Sequence, residues 1–368
     1  MPSFSKTACA LLSAVQLAAA TTYTLQDNYD QTNFFDNFQF YSDADPTSGY
    51  VQYVDAASAS SQGLAGYDQG GIYLGSDHTT SNPANGRAST RVFSTKTYTQ
   101  MLMVADVVHM PVGCGTWPAL WSFGNDWPSN GEIDIIEGVN SQSSNEITLH
   151  TSDVCTMGVG NAVASTKFSD TTDCSANDGY TGCPQTTTST GNFGKGLNAA
   201  GGGVYAMLWD DSAISVYFFS RNTTMANTLS ASSSTIDTDS LGTPLATFVG
   251  GSGCDISERF SNHSITINTD FCGSWAGSDD VWGADTECSA LASTCTDYVA
   301  NNPSAMIDAY WLFNSIKVYT TSGSSASATG SSSTGSSPTA TGVAISASAS
   351  VGLGPFGGPL KRGVPFNA

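Results

Sequence analysis

The chain has 368 residues, with 11 Lys or Arg against 31 Asp or Glu, so its formal net charge is −20 at pH 7. This balance argues against nucleic acid or an anionic membrane as a partner, because both would repel the protein. It suits a secreted protein, which we expect to be a monomer, working in a mildly acidic medium on a neutral polymer.

Residues 1–20 have the order of a secretory signal peptide. Lys6 lies near the start, an apolar run covers residues 8–17, and three alanines precede Thr21. We therefore expect the mature chain to begin near Thr21 and to be secreted, either extracellular or associated with a cell wall. No later apolar run reaches the length of about eighteen residues that a membrane span needs.

Residues 21–320 are predicted to form one domain made of short apolar or alternating runs separated by Gly, Asn, Asp and Ser. Helical periodicity is scarce, apart from a short helix predicted at residues 304–310. The pattern predicts an all-β sandwich of two antiparallel sheets. Strands are predicted at residues 50–54, 71–74, 88–93, 100–108, 133–136, 146–150, 204–209, 214–219, 264–269 and 315–319.

The strand with the sequence GEIDIIEG, at residues 131–138, carries three carboxylates in an apolar, β-branched run. Side chains alternate along a strand, so Glu132 and Asp134 share one face while Glu137 would point to the other. A single β-bulge at residues 135–136 would bring all three to one face. One of them should then hold a proton near neutral pH, because adjacent like charges disfavour ionisation.

One ionised nucleophile beside one protonated acid is the arrangement that glycoside hydrolysis requires. An acid-rich edge strand and half of a metal site are the alternatives. Three of the seven tryptophans lie within twenty residues of this strand, and carbohydrate sites use aromatic faces to stack on sugar rings. For Trp117, ordinary packing in the core is the alternative to binding sugar. That alternative is weaker for Trp127, which should overhang the same cleft as Glu132.

Eight cysteines remain once Cys9 leaves with the signal peptide, an even number that predicts four disulfides in an oxidising compartment. The short loops favour pairing Cys174 with Cys183 and Cys288 with Cys295. No Cys-x-x-Cys pair exists, which disfavours a zinc site, and we predict no metal ligand.

Residues 321–368 consist mostly of Ser, Gly, Thr and Ala, and cannot bury enough apolar surface to fold. We predict a disordered, O-glycosylated linker or stalk. Its last stretch, residues 343–368, contains Gly, Pro and two basic residues, so it makes a poor lipid-anchor signal. Two sequons, at residues 222–224 and 262–264, permit N-glycans.

The tryptophan-rich and acidic segments together resemble glycoside hydrolase family 16, specifically fungal endo-β-1,3(4)-glucanases of the laminarinase type. The resemblance extends over nearly all of residues 21–320. The segments that carry it are GTWPALW at 115–121, WP at 127–128, GEIDIIEG at 131–138, GRASTR at 86–91, TLHT at 148–151, GGGVYA at 201–206, FCGSWAG at 271–277 and AYWLFNS at 309–315.

The resemblance implies a concanavalin A-like β-jelly-roll with a cleft across its concave sheet, and retaining hydrolysis of β-1,3 and mixed-linkage β-1,3(4)-glucans. Glu132 would be the nucleophile, Glu137 the general acid/base, and Asp134 the residue that holds a proton or hydrogen bond between them. Same-face carboxyls on a bulged strand can reach the separation of about 5 to 5.5 Å that retention needs. No cofactor is required, while a structural calcium on the convex side is allowed.

Five residues are candidates for binding the substrate: Trp121 and Trp127 near the acidic strand, Trp275 in a Gly-rich loop, His150 and Arg87. His150, in a strand predicted to pair with the acidic one, would bond a substrate hydroxyl or a carboxylate, and a purely structural histidine is the alternative. Arg87 would bond sugar or pair with an acid.

One departure from the family pattern is Leu208, where an acid is expected before Trp209. It puts a minor cleft contact or the sheet pairing there in doubt.

Two other functions on the same scaffold stay open. A cell-wall transglycosylase would pass the glycosyl group to a sugar instead of water, but the extra residue of the acidic run goes more often with glucanases. A glucan-binding lectin would have lost Glu132 or Glu137, and both are present.

Overall fold

The computed structural model describes residues 21–163, 167–168, 171–176, 182–231, 233–321 and 325–328. The predicted signal peptide and most of the predicted tail lie outside these residues. Among the described helices, none is both long enough and apolar enough to cross a membrane.

Two large antiparallel sheets dominate the fold, which confirms the all-β prediction. In chain order the strands are β1 (Thr22–Tyr29), β2 (Phe38–Phe40), β3 (Val51–Tyr53), β4 (Ala65–Asp68), β5 (Gly71–Gly75), β6 (Arg87–Ser89), β7 (Arg91–Ser94), β8 (Lys96–Thr99), β9 (Met101–His109), β10 (Thr116–Gly124), β11 (Glu132–Glu137), β12 (Glu146–His150), β13 (Gly158–Val159), β14 (Lys167–Phe168), β15 (Gln185–Thr186), β16 (Gly203–Trp209), β17 (Ala213–Ser220), β18 (Thr235–Asp237), β19 (Ala246–Val249), β20 (His263–Phe271), β21 (Tyr310–Thr320) and β22 (Ser325–Ala328).

One sheet, called here the cleft sheet, has the strand order β14-β15-β12-β11-β10-β20-β7-β2, with β8 on β20 and β22 on β8. The second sheet has the order β13-β19-β17-β16-β9-β21-β1-β18, with β5 on β21 and β4 on β5. β3 and β6 form a separate parallel pair. Each of the ten predicted strands overlaps an observed one.

The main core lies between the two sheets and is built from alternate residues of each strand. On the cleft sheet these include Leu120, Ile133 and Ile267, and on the second sheet Met103 and Trp311, each fully buried. The opposite faces of β10, β11 and β20 are therefore free to carry polar side chains, and those faces form the cleft.

All described α-helices are short. They are α1 (Phe34–Asn37), α2 (Ala56–Ser61), α3 (Gly194–Ala199), α4 (Thr224–Ser230), α5 (Ile256–Arg259), α6 (Gly273–Ala276), α7 (Asp279–Ala284) and α8 (Cys295–Asn301). The helix predicted at 304–310 is present only in its first part, as a 3-10 helix at Pro303–Met306, and β21 begins at Tyr310. Trp311 and Phe313 are needed in the sheet core, and this tertiary demand prevails over local preference.

Four disulfides are present, as the even number of cysteines predicts. The pair Cys174–Cys183 is confirmed. The predicted pair of Cys288 with Cys295 is wrong. Cys288 bonds Cys114 at a Cα separation of 5.3 Å, Cys295 bonds Cys272 at 5.7 Å, and the fourth bond joins Cys155 to Cys254. The segment that holds Cys288 and Cys295 is thus fastened to β10 and β20 at one end of the cleft sheet.

Beyond the domain boundary predicted at residue 320, Ser325–Ala328 of the predicted tail form β22 and pair with β8. Backbone pairing to an edge strand requires little apolar surface, so the Ser-rich and Ala-rich composition of this segment did not indicate that it forms a strand. The rest of the tail, residues 329–368, lies outside the described residues.

Candidate active site

The acidic strand contains the predicted bulge. On the neighbouring strand β10, Leu120 faces Ile136 while Trp121 faces Asp134, so Ile135 has no partner there. The pairing of β11 with β12 shifts at the same place. Ile133, Ile135 and Ile136 point into the core, and the three carboxyls line the cleft together. The predicted bulge at 135–136 is therefore confirmed.

The buried side-chain amide of Asn145 hydrogen-bonds the backbone groups that the bulge leaves unpaired. Asn145 Oδ1 accepts a hydrogen bond from the Glu137 N–H at 3.0 Å, and Asn145 Nδ2 donates to the Ile135 carbonyl at 2.8 Å. Asn145 is fully buried, so water does not replace these bonds in the folded chain. Asn145 therefore fixes the backbone conformation that turns Glu137 toward the other two acids.

Two indole groups hold the outer carboxyls. Trp117 Nε1 donates to Glu137 Oε1 at 2.9 Å, and Trp127 Nε1 donates to Glu132 Oε2 at 2.9 Å. An N–H bond to a carboxylate favours its ionised form and fixes its orientation. Trp127 therefore lies close to Glu132, as predicted, with its indole nitrogen committed to the carboxylate.

Burial raises the pKa of Glu132 well above its ordinary value. The charge of Asp134, a hydrogen bond that protonated Glu132 donates to Asp134 and the charge of Glu137 raise this pKa further, while the Trp127 hydrogen bond lowers it. Both Glu132 and Asp134 are almost completely buried. A negative charge on Glu132 is therefore disfavoured both by burial and by the acids beside it.

His150 lies where the sequence predicted, on β12 directly across from Glu132. Its Nε2 is 3.3 Å from Asp134 Oδ2, and the ring is 2% exposed. Of the two contacts predicted for His150, a carboxylate and a substrate hydroxyl, the structure contains the first.

The opposite side of the cleft is built from β7, β20 and β3. Trp121 donates its indole N–H to Asn268 Oδ1 at 2.7 Å, and the Arg91 guanidinium lies 5.0 Å from the Trp121 ring centroid. Arg91 also lies over the rings of Tyr41 and Tyr53. Cation–π contacts on three sides orient the guanidinium at the cleft wall.

A second acidic pair lines the same cleft. Thr47 Oγ1 is 2.6 Å from Asp45 Oδ2 and 2.7 Å from Asp270 Oδ2. The Thr47 hydroxyl is the donor in both contacts, so its one proton lies between the two acids. Burial raises the pKa of Asp270 well above its usual range and the charge of Asp45 adds to this, while the hydrogen bond from Thr47 lowers it. A negative charge on Asp270 is therefore disfavoured in the folded chain.

Five residues considered from the sequence lie outside the cleft lining: Trp127 and His150, which reach it through Glu132 and Asp134, and Arg87, Trp275 and Leu208. Arg87 is fully buried, pairs with Asp77 at 2.9 Å and donates to the Val299 carbonyl, so substrate binding was the wrong alternative for it. Trp275 is buried and packs edge-on against Trp117 at 5.5 Å, where it supports the cleft without lining it. Leu208 pairs regularly in the second sheet, so its substitution leaves the pairing intact.

Several cleft residues were missed in the sequence: Asp45, Thr47, Tyr53, Arg91, Asn268 and Asp270. Two of them had a readable signal. On β20, Asn268 and Asp270 are polar while Ile265 and Ile267 are apolar, which is the alternation of a strand with one polar face.

Among the described residues, one group of three side chains is close enough to share a metal ion: Glu132, Asp134 and His150. It lies in the cleft, so it does not provide the calcium site expected on the convex face. That expectation stays a prediction.

Residues 38–319 match a family model described as the XgeA-like catalytic domain of glycoside hydrolase family 16. The chain belongs to glycoside hydrolase family 16. Curated relatives agree with this assignment. A probable endo-1,3(4)-beta-glucanase of Neosartorya fischeri is 44% identical over 87% of this chain, and an endo-1,3(4)-beta-glucanase of Arthroderma benhamiae is 42% identical over 84%.

The chain spans 49% of the Neosartorya protein and 67% of the Arthroderma protein, so it corresponds to part of these family 16 relatives. Among solved structures, laminarinase 16A of Phanerochaete chrysosporium, with β-glucans in donor and acceptor sites, is 42% identical. The match covers 81% of this chain and 100% of that one at a TM-score of 0.76. An elongating family 16 β-1,3-glucosyltransferase is 38% identical with the same coverage, at a TM-score of 0.73.

Proposed function

We propose that this family 16 chain is a secreted, retaining endo-β-glucanase that hydrolyses β-1,3 and mixed-linkage β-1,3(4)-glucans. The observation that carries the proposal is the carboxyl trio on bulged β11. Glu132, Asp134 and Glu137 line one cleft, and each has different partners. Unlike environments are what divides otherwise equal carboxyls into a nucleophile and an acid.

In the first step, Glu132 attacks the anomeric carbon while Glu137 protonates the leaving oxygen. The nucleophile must be ionised for this attack, although burial and the neighbouring acids raise the pKa of Glu132. The Trp127 N–H opposes that rise, because it stabilises negative charge on Glu132. Asp134 lies between the two catalytic acids, and its hydrogen bond to Glu132 tunes the nucleophile.

In the second step, Glu137 deprotonates a water molecule, which releases the glycosyl group from Glu132. Trp117 donates to Glu137 Oε1 in the structure, and the other carboxyl oxygen is then the one that exchanges the proton. The protein supplies every group in this scheme, so we propose that the reaction requires no cofactor.

The linkage preference rests on the relatives, which are named endo-1,3(4)-beta-glucanases. Secretion is supported by the four disulfides, which persist in oxidising compartments. Aromatic and neutral polar groups along the cleft, including Trp121 and Asn268, suit an uncharged glucan.

The test is incubation of the secreted protein with laminarin, barley mixed-linkage glucan and cellulose, with chromatography of products over time. We expect short oligosaccharides from the first two and none from cellulose. Glu132→Gln should abolish turnover while the melting temperature stays close to wild type, since only the charge of the nucleophile is lost. Near wild-type activity of that variant would overturn the assignment.

A second candidate is glucan transglycosylation, because the elongating β-1,3-glucosyltransferase is 38% identical and shares the fold. The same time course distinguishes the two. Products longer than added laminari-oligosaccharides would indicate transfer to sugar in place of water.

A further inference from the structure

We propose that Glu132, Asp134 and His150 together bind a borderline transition-metal dication, with Zn²⁺ as the probe, and that this ion inhibits the enzyme. The ligand atoms of these residues all lie within 4.8 Å of one another, and the three side chains are buried. Metal binding does not depend on the proposed function. Inhibition does, because it requires Glu132 to be the nucleophile.

The spacing of the best-placed pair fits zinc. Zn–N and Zn–O bonds of about 2.0 to 2.2 Å in a tetrahedral site place two ligand atoms roughly 3.3 to 3.6 Å apart. The distance from His150 Nε2 to Asp134 Oδ2 is 3.3 Å. These two residues, held on adjacent strands, therefore present one edge of a tetrahedron without movement. Glu132, with three rotatable bonds, supplies the third ligand by a small side-chain adjustment.

One buried polar atom of Asp134 and one of His150 lack a hydrogen-bond partner of good geometry among the described residues. These atoms are Asp134 Oδ2 and His150 Nδ1. Buried polar atoms without partners are uncommon in folded proteins and indicate a missing ligand or a functional role. A cation beside Asp134 Oδ2 would satisfy that oxygen directly. It would also fix the tautomer of His150 with the proton on Nδ1.

The ligand set selects the class of ion. Two carboxylates and one imidazole suit Zn²⁺ or Cu²⁺, whereas Ca²⁺ prefers six to eight oxygen ligands. Trp127 bonds Glu132 Oε2 and orients the carboxylate, which leaves Oε1 for the metal. Zn²⁺ binds carboxylates in their ionised form, so any proton held on these acids leaves to solvent on binding. No oxidation or reduction is involved.

An ion at this position is coordinated by the carboxylate of Glu132, so the lone pair that would attack the anomeric carbon is no longer available. The structure therefore contains an inhibitory site within the catalytic residues, in which His150 has no other assigned chemical part. The sequence offered two alternatives for the acidic strand, half of a metal site and a glycosidase site. Under this proposal both hold: Glu132 and Asp134 bind the ion in the inhibited enzyme and belong to the catalytic group in the active enzyme.

The test is calorimetric titration of the full secreted chain with Zn²⁺ at fixed pH, after chelator treatment and removal of the chelator. We expect one Zn²⁺ per chain and loss of laminarin hydrolysis over the same concentration range, with recovery on adding EDTA. His150→Gln should weaken zinc affinity by at least about tenfold, since even second-shell losses cost 10 to 100-fold.

His109→Gln is the matched control. His109, at the end of β9 in the second sheet, stacks on Tyr310 and bonds Asn198 of α3. It lies outside the cleft, so the zinc titration of His109→Gln should match wild type. Equal affinity of wild type and His150→Gln would overturn the proposal. A check without mutation is anomalous diffraction from a zinc-soaked crystal: a peak between Asp134 and His150 supports the site, and peaks elsewhere alone refute it.

Discussion

Replacing Trp117 by Phe tests whether an indole donor sets the protonation of the proposed acid/base. The substitution removes the 2.9 Å bond from Nε1 to Glu137 Oε1 and keeps an aromatic ring in the cleft. The donor favours the carboxylate over the protonated acid. Glu137 must be protonated for the first chemical step, so Trp117→Phe should move the alkaline limb of the kcat/KM profile to higher pH.

The size of the shift follows from the bond that is lost. Hydrogen bonds to charged groups contribute about 1.5 to 3 kcal/mol, and one pH unit corresponds to about 1.4 kcal/mol. Trp117 is 4% exposed, so water replaces the indole donor poorly. We therefore expect a shift of roughly one to two pH units. Loss of the edge-on contact with Trp275 should also lower the free energy of unfolding by about 1 kcal/mol.

The assay is kcat/KM for an aryl laminari-oligosaccharide measured across the pH range in which the fold is intact. Trp121→Phe is the matched control, because it lies on the same strand and face but donates to the neutral amide of Asn268. Its alkaline limb should stay at the wild-type position. An unmoved limb in Trp117→Phe, or equal movement in both variants, would refute the reasoning.

Three further outcomes are expected. Glu137→Gln should lose most activity on laminarin but retain more on substrates with good leaving groups, because these need little protonation; equal loss on both would exclude the acid role. Asn145→Ala should lower kcat more than it raises KM and cost roughly 2 kcal/mol or more in denaturant unfolding, since two buried backbone groups lose their partner. Asp270→Asn should stabilise the fold, because the amide brings no charge into the buried site and its oxygen can still accept from Thr47 Oγ1. Burial raises the pKa of Asp270 in the folded chain, so wild type loses stability as pH rises from about 4, and the advantage of Asp270→Asn in melting temperature should grow toward pH 7.

The acidic strand was predictable because its signal is local. Parity along a strand is a property of consecutive residues, so three acids in six positions require a bulge before the structure is known. The same holds for the strand of His150, whose pairing with the acidic strand follows from a short connection. By contrast, nothing in the sequence near the bulge indicates that the side chain of Asn145 bonds its freed backbone groups.

Arg87 and Arg91 illustrate where local pattern is insufficient. Both belong to the segment that resembles the family, and they lie four residues apart with apolar and hydroxyl neighbours. Arg87 pairs with Asp77 beneath the surface, whereas Arg91 lies over three rings at the cleft wall. The difference arises because Arg87 is on β6, in a small pair with β3, and Arg91 is on β7 beside β20. Only the strand pairing decides which guanidinium reaches the cleft.

The disulfide error has the same origin. The short sequence separation favoured pairing Cys288 with Cys295, but Cys288 lies in the turn after α7 and Cys295 begins α8, and the two bond different partners. Cys114 precedes β10 and Cys272 follows β20, and these strands pair directly, with Thr116 facing Phe271. Both anchors therefore lie at one end of the cleft sheet, and the segment between residues 272 and 301 is fastened over that end by two bonds.

The two sides of the cleft differ in how far apart their residues lie in the sequence, and they also differ in proposed role. The proposed nucleophile, the acid, both indole donors, Asn145 and His150 all belong to one meander, β10 to β12, whose strands are consecutive in the chain. The facing wall, with Arg91, Asn268 and Asp270, comes from segments more than a hundred residues apart in sequence. Chemistry that depends on proton positions is thus built into a unit whose geometry is set by short connections. The surface that meets the polymer is assembled by the fold as a whole, so it can vary with less effect on the carboxyl trio.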